Sequence, residues 1–366
     1  MKVLHIVYSG LGGGIKVVQN LIYENNKKNL WVNSVILVGP KISEIKFDLK
    51  KNKIYYCKTI KYLSFLFWIK TFLKIIYFKP DTIFVHNHDI FPALLYKYLF
   101  KKKIIFVAHD PASLFNNIKI KFINKIAAIF FDTIIVLNKD VYLYFKKISK
   151  RKKILIIQNG IKKTKFIKKK FKNYFNIGMA ARMNSNKLQE LIINALDTSI
   201  LKNKKINCFF AGDGENYEKL ILTTSKLKLN KKIKFFGTLK EDKLVSFYKE
   251  LDLYIQASTS EGSSISVLEA FNYGIPVLAS NVSGLKNFIN KKNYIGALFK
   301  NKKHDLAKKI LNFYNMKEDI RQKYIRNQKN YFLENNDSSI MYYKYSALLN
   351  KIIKLSWVVF CRFDNL

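Results

Sequence analysis

Short apolar runs alternate with longer stretches of helical period along the first 160 residues. KVLHIVY (2–8), VNSVILV (32–38), TIFVH (82–86), KIIFVAH (103–109), DTIIVL (132–137) and KILIIQ (153–158) are nearly continuous in apolar side chains. Runs of that kind predict strands of a parallel sheet covered on both faces. The segments between them, 14–28, 60–78, 90–100, 113–130 and 139–149, predict helices. A strand–helix alternation of this sort is the rhythm of a doubly wound α/β domain.

The rhythm breaks at KKTKFIKKKFKNY (162–174), which is dense in charge and has no apolar period, so a linker is expected over 162–173. A second alternation follows. NIGMAA (176–181), INCFFAG (206–212), KIKFFG (232–237), DLYIQA (252–257) and PVLAS (276–280) predict strands. Helices are expected near 186–200, 215–229, 241–250, 263–273 and 284–290, and the chain beyond about 302 reads as helical. Two Rossmann-like domains result, over 1–165 and 174–337, facing each other across a cleft. In such sheets ligands gather beyond the carboxyl ends of the strands.

Composition refines this picture. At 366 residues the chain suits two cores better than one, and 49% hydrophobic content argues for a folded protein. Cys57, Cys208 and Cys361 are far apart and show no metal or disulfide spacing, which fits a reducing cytoplasm. The start MKVLHIVYSG is a strand and a glycine turn rather than a secretory signal. YLSFLFWI (62–69), between Lys61 and Lys70, falls far short of the about 20 residues that span a bilayer. A cytoplasmic protein, soluble or peripheral on the inner face of the membrane, is expected.

The net charge is +41, and only five of the 66 basic residues are Arg. An AT-rich genome accounts for part of the lysine excess but not for the scarcity of acids. Residues 1–172 hold 35 basic and 8 acidic side chains, against 31 and 17 in the remainder. A basic first half calls for a polyanionic neighbour. Nucleic-acid readers rely on Arg forks within recognisable modules, and none is visible here. An anionic membrane surface needs point charge alone, worth about 1 kcal/mol per Lys, and is the preferred partner.

Four stretches carry candidate chemistry. SGLGGGIKVVQNL (9–21) joins the first strand to a helix through Gly12, Gly13 and Gly14. It can bring backbone N–H groups to a phosphate, and a tight turn explains it equally well. AARMNSNKLQE places Arg182 and Lys187 just past a strand end, where a guanidinium fork and a lysine can neutralise a diphosphate. SEGSSISVLEAFNYGIPVLAS (260–280) puts Glu261 in a loop and Glu269 one to two turns into the next helix. Both carboxylates can then face one ligand, with the free helix N-terminal amides of 263–267 as an anion cradle between them and Gly262, Ser263, Ser264 and Ile265 as candidate donor-binding residues. Finally, His86, His88 and His109 stand at strand ends. The first two could suggest a metal, but a third ligand is not apparent.

In order along the chain, GLGGGI, HNH, VAHD, QNGI, AARMNSNK, FAGDGE and EGSSISVLEAFNYGIPV resemble the retaining glycosyltransferases of family 4, which have the GT-B fold. The resemblance implies transfer of a hexose-type sugar from a nucleotide diphosphate donor (UDP- or GDP-linked) to a hydroxyl of a glycan or lipid-linked acceptor, in bacterial lipopolysaccharide or capsule synthesis. It implies that Glu269 binds the ribose, Glu261 the donor sugar, and Arg182 and Lys187 the diphosphate. Gly13 and Gly14 would close over the phosphates, and His109 would meet the reacting end of the sugar. The last helix, about 338–366, would cross back to the first domain. No cofactor or metal is implied, and no Asp-x-Asp pair occurs. Leu188 and VSGLKNF (282–288) depart from the family pattern. Basic, aromatic 55–78 resembles membrane-docking segments of relatives with lipid-linked acceptors, although its scattered lysines equally suit a packing helix. A nucleotide-sugar epimerase, or a non-catalytic polyanion-binding protein on the same scaffold, are the alternatives.

Overall fold

A computed structural model describes residues 1–9, 13–39, 47, 53–57, 65–87, 89–149, 152–164, 174–289 and 292–363. Gly12, His88 and most of the predicted linker (165–173) lie outside that set. The chain divides into two units, Met1–Lys162 with Asn335–Leu366, and Lys163–Glu334.

Unit 1 begins with β1 (Lys2–Tyr8), α1 (Gly13–Lys28), β2 (Val32–Val38), β3 (Lys53–Cys57), α2 (Phe65–Phe78), β4 (Thr82–His86) and α3 (Ile90–Phe100). β5 (Lys103–Ala108), a short 3-10 turn (Ala112–Asn116), α4 (Ile118–Phe130), β6 (Thr133–Val136), α5 (Lys139–Ile148) and β7 (Lys153–Ile156) follow. Its described strands form one parallel sheet in the order β3-β2-β1-β4-β5-β6-β7, so the winding reverses between β1 and β4. Edge strand β3 was not expected: its apolar run IYYC is short, and its central residues are only half-buried.

A parallel sheet must be covered on both faces. One face of unit 1 lies under α2–α5, whose Phe67, Ile75, Ala93, Ala127 and Phe145 pack on Leu4, Ile83 and Phe106. Toward the chain start, α1 covers part of the opposite face with Val17 and Leu21. The rest of that face is covered by residues more than 300 positions downstream.

Unit 2 comprises β8 (Phe175–Ala180), α6 (Gln189–Leu196), α7 (Ser199–Lys202), β9 (Ile206–Ala211), α8 (Tyr217–Lys226), β10 (Ile233–Phe235) and α9 (Glu241–Glu250). It continues with β11 (Leu253–Gln256), α10 (Ile265–Tyr273), β12 (Val277–Ser280), β13 (Ala297–Phe299), α11 (Lys303–Tyr314) and α12 (Glu318–Asn335). The parallel order β10-β9-β8-β11-β12-β13 again reverses, here between β8 and β11. Of the helix expected at 284–290, residue 290 lies outside the described residues, and 284–288 hold turns in its place, entered through Gly284 at φ +86°, outside the helical basin. Three-residue β13 lay below the length at which an apolar run is recognisable.

The chain ends in α13 (Ser338–Phe363), which packs on unit 1. Met341, Tyr342, Tyr345, Leu348 and Leu349 join Val3, Trp31, Phe84 and Ile105 in one buried cluster. The Tyr342 ring stacks on Trp31 at 4.9 Å and its hydroxyl donates to Asn25 Oδ1 at 3.0 Å. Ser338 Oγ donates to the buried Glu24 carboxylate at 2.6 Å.

Candidate functional site

In unit 2 the winding reverses between β8 and β11, and the loops that follow these strands carry most of the candidate residues. Backbone bonds tie the loops together: Leu188 N–H donates to Ala257 O at 2.9 Å and Thr259 N–H to Asn186 O at 3.0 Å. Lys187 and Ser258 form an antiparallel bridge. Behind the first loop, Gly212 and Gly214 sit at φ +125° and +155°, where a Cβ would lie 2.1 Å from Ala181 O and 2.4 Å from Met183 O. The glycines of FAGDGE therefore let two backbones touch and hold the 181–188 loop in place.

Glu261 is the centre of this arrangement. It is 8% exposed, and its Oε1 accepts from Lys187 Nζ, from Gln256 Nε2 at 2.7 Å and from Ser258 Oγ at 2.6 Å. All three bonds converge on Oε1, and none uses Oε2. A second layer holds the donors. Buried Tyr254 donates to Gln256 Oε1 at 2.9 Å, and the Ser258 backbone is clamped by Ser280 Oγ at 2.9 Å and Asn301 Nδ2 at 3.0 Å. Gly284 supports the Glu261 backbone from behind: a Cβ at 284 would lie 2.2 Å from Glu261 O.

Glu269 lies in the second turn of α10, half-buried, and Oε2 accepts from Tyr248 OH at 2.8 Å. Burial, and then the Glu269 charge, push the Tyr248 hydroxyl well above its ordinary pKa, so it remains a donor to that carboxylate. Ser264 stands at the N-cap of α10 with no side-chain cap bond. Gly262 and Ser264 are buried, and Ser263 and Ile265 half-buried, along the turn between the two acids. Arg182 is exposed in the loop after β8, its carbonyl taking a bond from Gln189 Nε2 at 3.2 Å. Unit 2 thus gathers Arg182, Lys187, Glu261, Gly262–Ile265 and Glu269 around one switch point.

Gly13, Gly14 and His109 belong to unit 1 and are grouped there. Gly13 and Gly14 open α1, and a Cβ at Gly14 would meet Val7 at 3.5 Å and the His109 ring at 3.8 Å, both ordinary contacts. Packing therefore does not demand glycine at 14. His109 Nε2 faces His86 Nδ1 at 2.8 Å, and His86 Nε2 faces His5 Nδ1 at 3.2 Å. These are hydrogen-bond distances between rings, and among the described residues no cluster of His, Cys, Asp or Glu is placed to hold a metal ion.

Sequence reasoning missed Tyr248, Tyr254, Gln256, Ser258 and His5. Gln256 and Ser258 gave one signal, two polar side chains at the end of an otherwise apolar strand, and both are buried. His5 gave none, since its partners depend on strand register.

Residues 160–331 match the family of glycosyl transferases group 1. The chain is 34% identical over 164 residues to the O-antigen biosynthesis glycosyltransferase WclY of Escherichia coli, covering 42% of this chain and 44% of that one. The match thus spans less than half of that relative. An uncharacterized glycosyltransferase of Methanocaldococcus jannaschii, MJ1178, is 27% identical over 328 residues, covering 87% and 90% of the two chains. Among solved structures, Anabaena HepE in complex with UDP and glucose superposes with a TM-score of 0.80 at 17% identity, covering 96% of this chain and all of that one. Sucrose-phosphate synthase from Thermosynechococcus elongatus gives 0.83 at 13% identity, covering 97% and 100%. These likenesses show the fold, two parallel-sheet Rossmann-like domains.

Proposed function

We propose that the chain is a retaining glycosyltransferase that moves a hexose-type sugar from a UDP- or GDP-sugar to a hydroxyl of a glycan or lipid-linked acceptor, in the assembly of a bacterial surface polysaccharide. The observation that carries this reading is the Glu261 node. A buried carboxylate with three donors on Oε1 has its other oxygen available for a sugar hydroxyl. Eight residues on, Glu269 is held by Tyr248 in a position suited to a ribose. Arg182, Lys187 and the first amides of α10 supply positive potential for a diphosphate leaving group. HepE, a neighbour in fold, is described with UDP-glucose, which favours a nucleotide-sugar donor here. The roles of Gly13, Gly14 and His109 rest on the family resemblance. No metal is required in this scheme, since the cationic side chains and amides meet the phosphate charge.

A screen of UDP-, GDP- and ADP-sugars for binding and slow hydrolysis tests the reading. At least one donor should bind, and Glu269→Ala and Arg182→Ala should each weaken it by about 10- to 100-fold, the range of a lost bond to a charged group. Tyr248→Phe should weaken it less. An unchanged affinity in both alanine variants, or no donor bound, refutes the assignment.

The same proposal includes docking on an anionic membrane. The α2–α4 face of unit 1 exposes Leu66, Leu73, Tyr98, Phe122 and Phe130 among Lys70, Lys74, Lys97 and Lys101. A surface hollow of about 770 Å³, lined by Phe91, Tyr98, Lys101 and Phe130, opens between α3 and α4. Apolar side chains among lysines suit a peripheral contact. Among the described residues no helix is long and apolar enough to cross a bilayer. Sedimentation with vesicles should rise with phosphatidylglycerol content and fall as salt increases from 50 to 500 mM, roughly the range over which the Debye length shrinks from about 14 to 4 Å. Binding indifferent to both would remove the membrane from the proposal.

A further inference from the structure

Side chains alternate along β11 and the two residues after it. Leu253, Ile255 and Ala257 enter the main core cluster of unit 2, so Tyr254, Gln256 and Ser258 share the opposite face. All three are buried, and their polar ends form one chain of hydrogen bonds. Tyr254 OH lies 2.9 Å from Gln256 Oε1. At its other end Gln256 Nε2 lies 3.0 Å from Ser258 Oγ and 2.7 Å from Glu261 Oε1. Ser258 Oγ reaches the same glutamate oxygen at 2.6 Å.

The glutamate end fixes the polarity of this chain. The Lys187 ammonium, which can only donate, bonds Glu261 Oε1, so that oxygen is an acceptor. The end of the Gln256 side chain that faces it is therefore the NH2 group, and the carbonyl end faces Tyr254. Turning the amide over would set two acceptors 2.7 Å apart. With a carbonyl oxygen before it, the phenol must donate, or lone pairs would meet at 2.9 Å. The Ala180 carbonyl, 3.2 Å from the same phenol, already receives Ser266 Oγ at 2.8 Å. Burial raises the Tyr254 hydroxyl well above its ordinary pKa, so the proton stays in place.

We infer that Tyr254 is a positioning residue for Glu261: its hydroxyl holds the Gln256 amide in the one orientation that donates to Oε1, which keeps Oε2 as the oxygen to meet a ligand. That Oε2 meets a donor sugar rests on the transferase reading; the orientation of the amide does not. Tyr254 is fully buried, so it acts through Gln256 and not on a ligand. Its ring also packs on that of Tyr248, with centroids 5.7 Å apart, and Tyr248 holds Glu269. The holders of the two candidate acids thus form one buried aromatic pair. Close packing of those rings, rather than the conformation of a loop, sets where both carboxylates are anchored.

Nitrogen-15 NMR of the full chain, labelled in glutamine, tests the orientation without a donor. The Gln256 side-chain signals are identified by their loss in Gln256→Met, and both Nε2 protons should exchange slowly with solvent in the parent. Tyr254→Phe should speed that exchange about tenfold or more, the effect of one lost hydrogen bond. The buried Gln328 amide, which bonds Val277 N–H and Ile275 O elsewhere in unit 2, should be unchanged. Ser258→Ala should release one of the two Gln256 protons and leave the other held by Glu261. Exchange unmoved in either variant, or raised alike at Gln256 and Gln328, overturns the inference. Hydrolysis of UDP-, GDP- and ADP-glucose gives the functional readout. Tyr254→Phe should lower turnover about 5- to 50-fold in the parent, and less than about twofold in a Gln256→Met background, where the path to Glu261 is already cut. An equal factor in both backgrounds, or no loss in the parent, would overturn the functional part. An absence of donor turnover in the parent would instead count against the transferase reading, with the amide orientation decided by NMR.

Discussion

Replacing Glu261 by Ala should lower sugar transfer by about 100- to 1000-fold, the range for loss of one preorganised polar contact to a reacting group. It should also destabilise the fold by about 2–4 kcal/mol, because Lys187, Gln256 and Ser258 lose their common acceptor. The upper end of that range is moderated by the Lys187 side chain, which is 20% exposed and can recruit water. These two effects are separable. If Glu261 serves only as the common acceptor of its three donors, Glu261→Gln, which keeps an oxygen there, should restore most of the transfer along with the stability. If a carboxylate Oε2 meets the donor sugar, Glu261→Gln should regain part of the stability and little of the transfer. Chemical denaturation and product formation on the parent, Glu261→Ala and Glu261→Gln separate the two.

Gly284→Ala should be nearly as damaging although residue 284 carries no chemistry. Its φ of +86° is outside the range that side chains favour, and the new Cβ would lie 2.2 Å from Glu261 O and 2.8 Å from Gly262 O. Both obstacles are backbone, so no rotamer change relieves them. The 261–262 loop must move, at a cost of about 2–4 kcal/mol, and transfer should fall with it. Gly237 provides the control, with φ +61° and no atom within 4 Å of its added Cβ. Gly237→Ala should cost about 1–2 kcal/mol of left-handed strain and leave transfer unchanged. Equal losses in the two variants would show that contact with the Glu261 loop has no special weight.

The segment VSGLKNF (282–288) thus has a physical content that its sequence concealed. LKNFI has a helical period, but a glycine at positive φ and the turns after it serve to hold Glu261 instead. Central strands were legible because both their faces are buried, leaving unbroken apolar runs. Edge strands β3 and β13 were not, since KIYYC is only half covered and ALF is too short. The acids and cations of unit 2 were legible for the opposite reason, being charged residues directly beyond strand ends. Their holders were not. Tyr248 and Tyr254 look like core aromatics, and only the fold reveals a hydroxyl turned toward Glu269 or Gln256. His5 sits in the middle of KVLHIVY, and its meaning emerges only when register sets it two residues out of step with His86.

The way α13 completes unit 1 has a consequence for the order in which the molecule can be made. Residues 163–334 intervene between the last strand of unit 1 and the helix that covers its sheet. A ribosome adding about 5–20 residues per second needs on the order of 10–30 s to cross that interval. Throughout it Val3, Trp31, Phe84 and Ile105 lack the Tyr342, Tyr345 and Leu349 that bury them. Unit 2 is contiguous and can close its own core in the meantime. The half synthesised first is therefore finished last, and a nascent chain stalled before Ser338 would present an uncovered apolar sheet to chaperones.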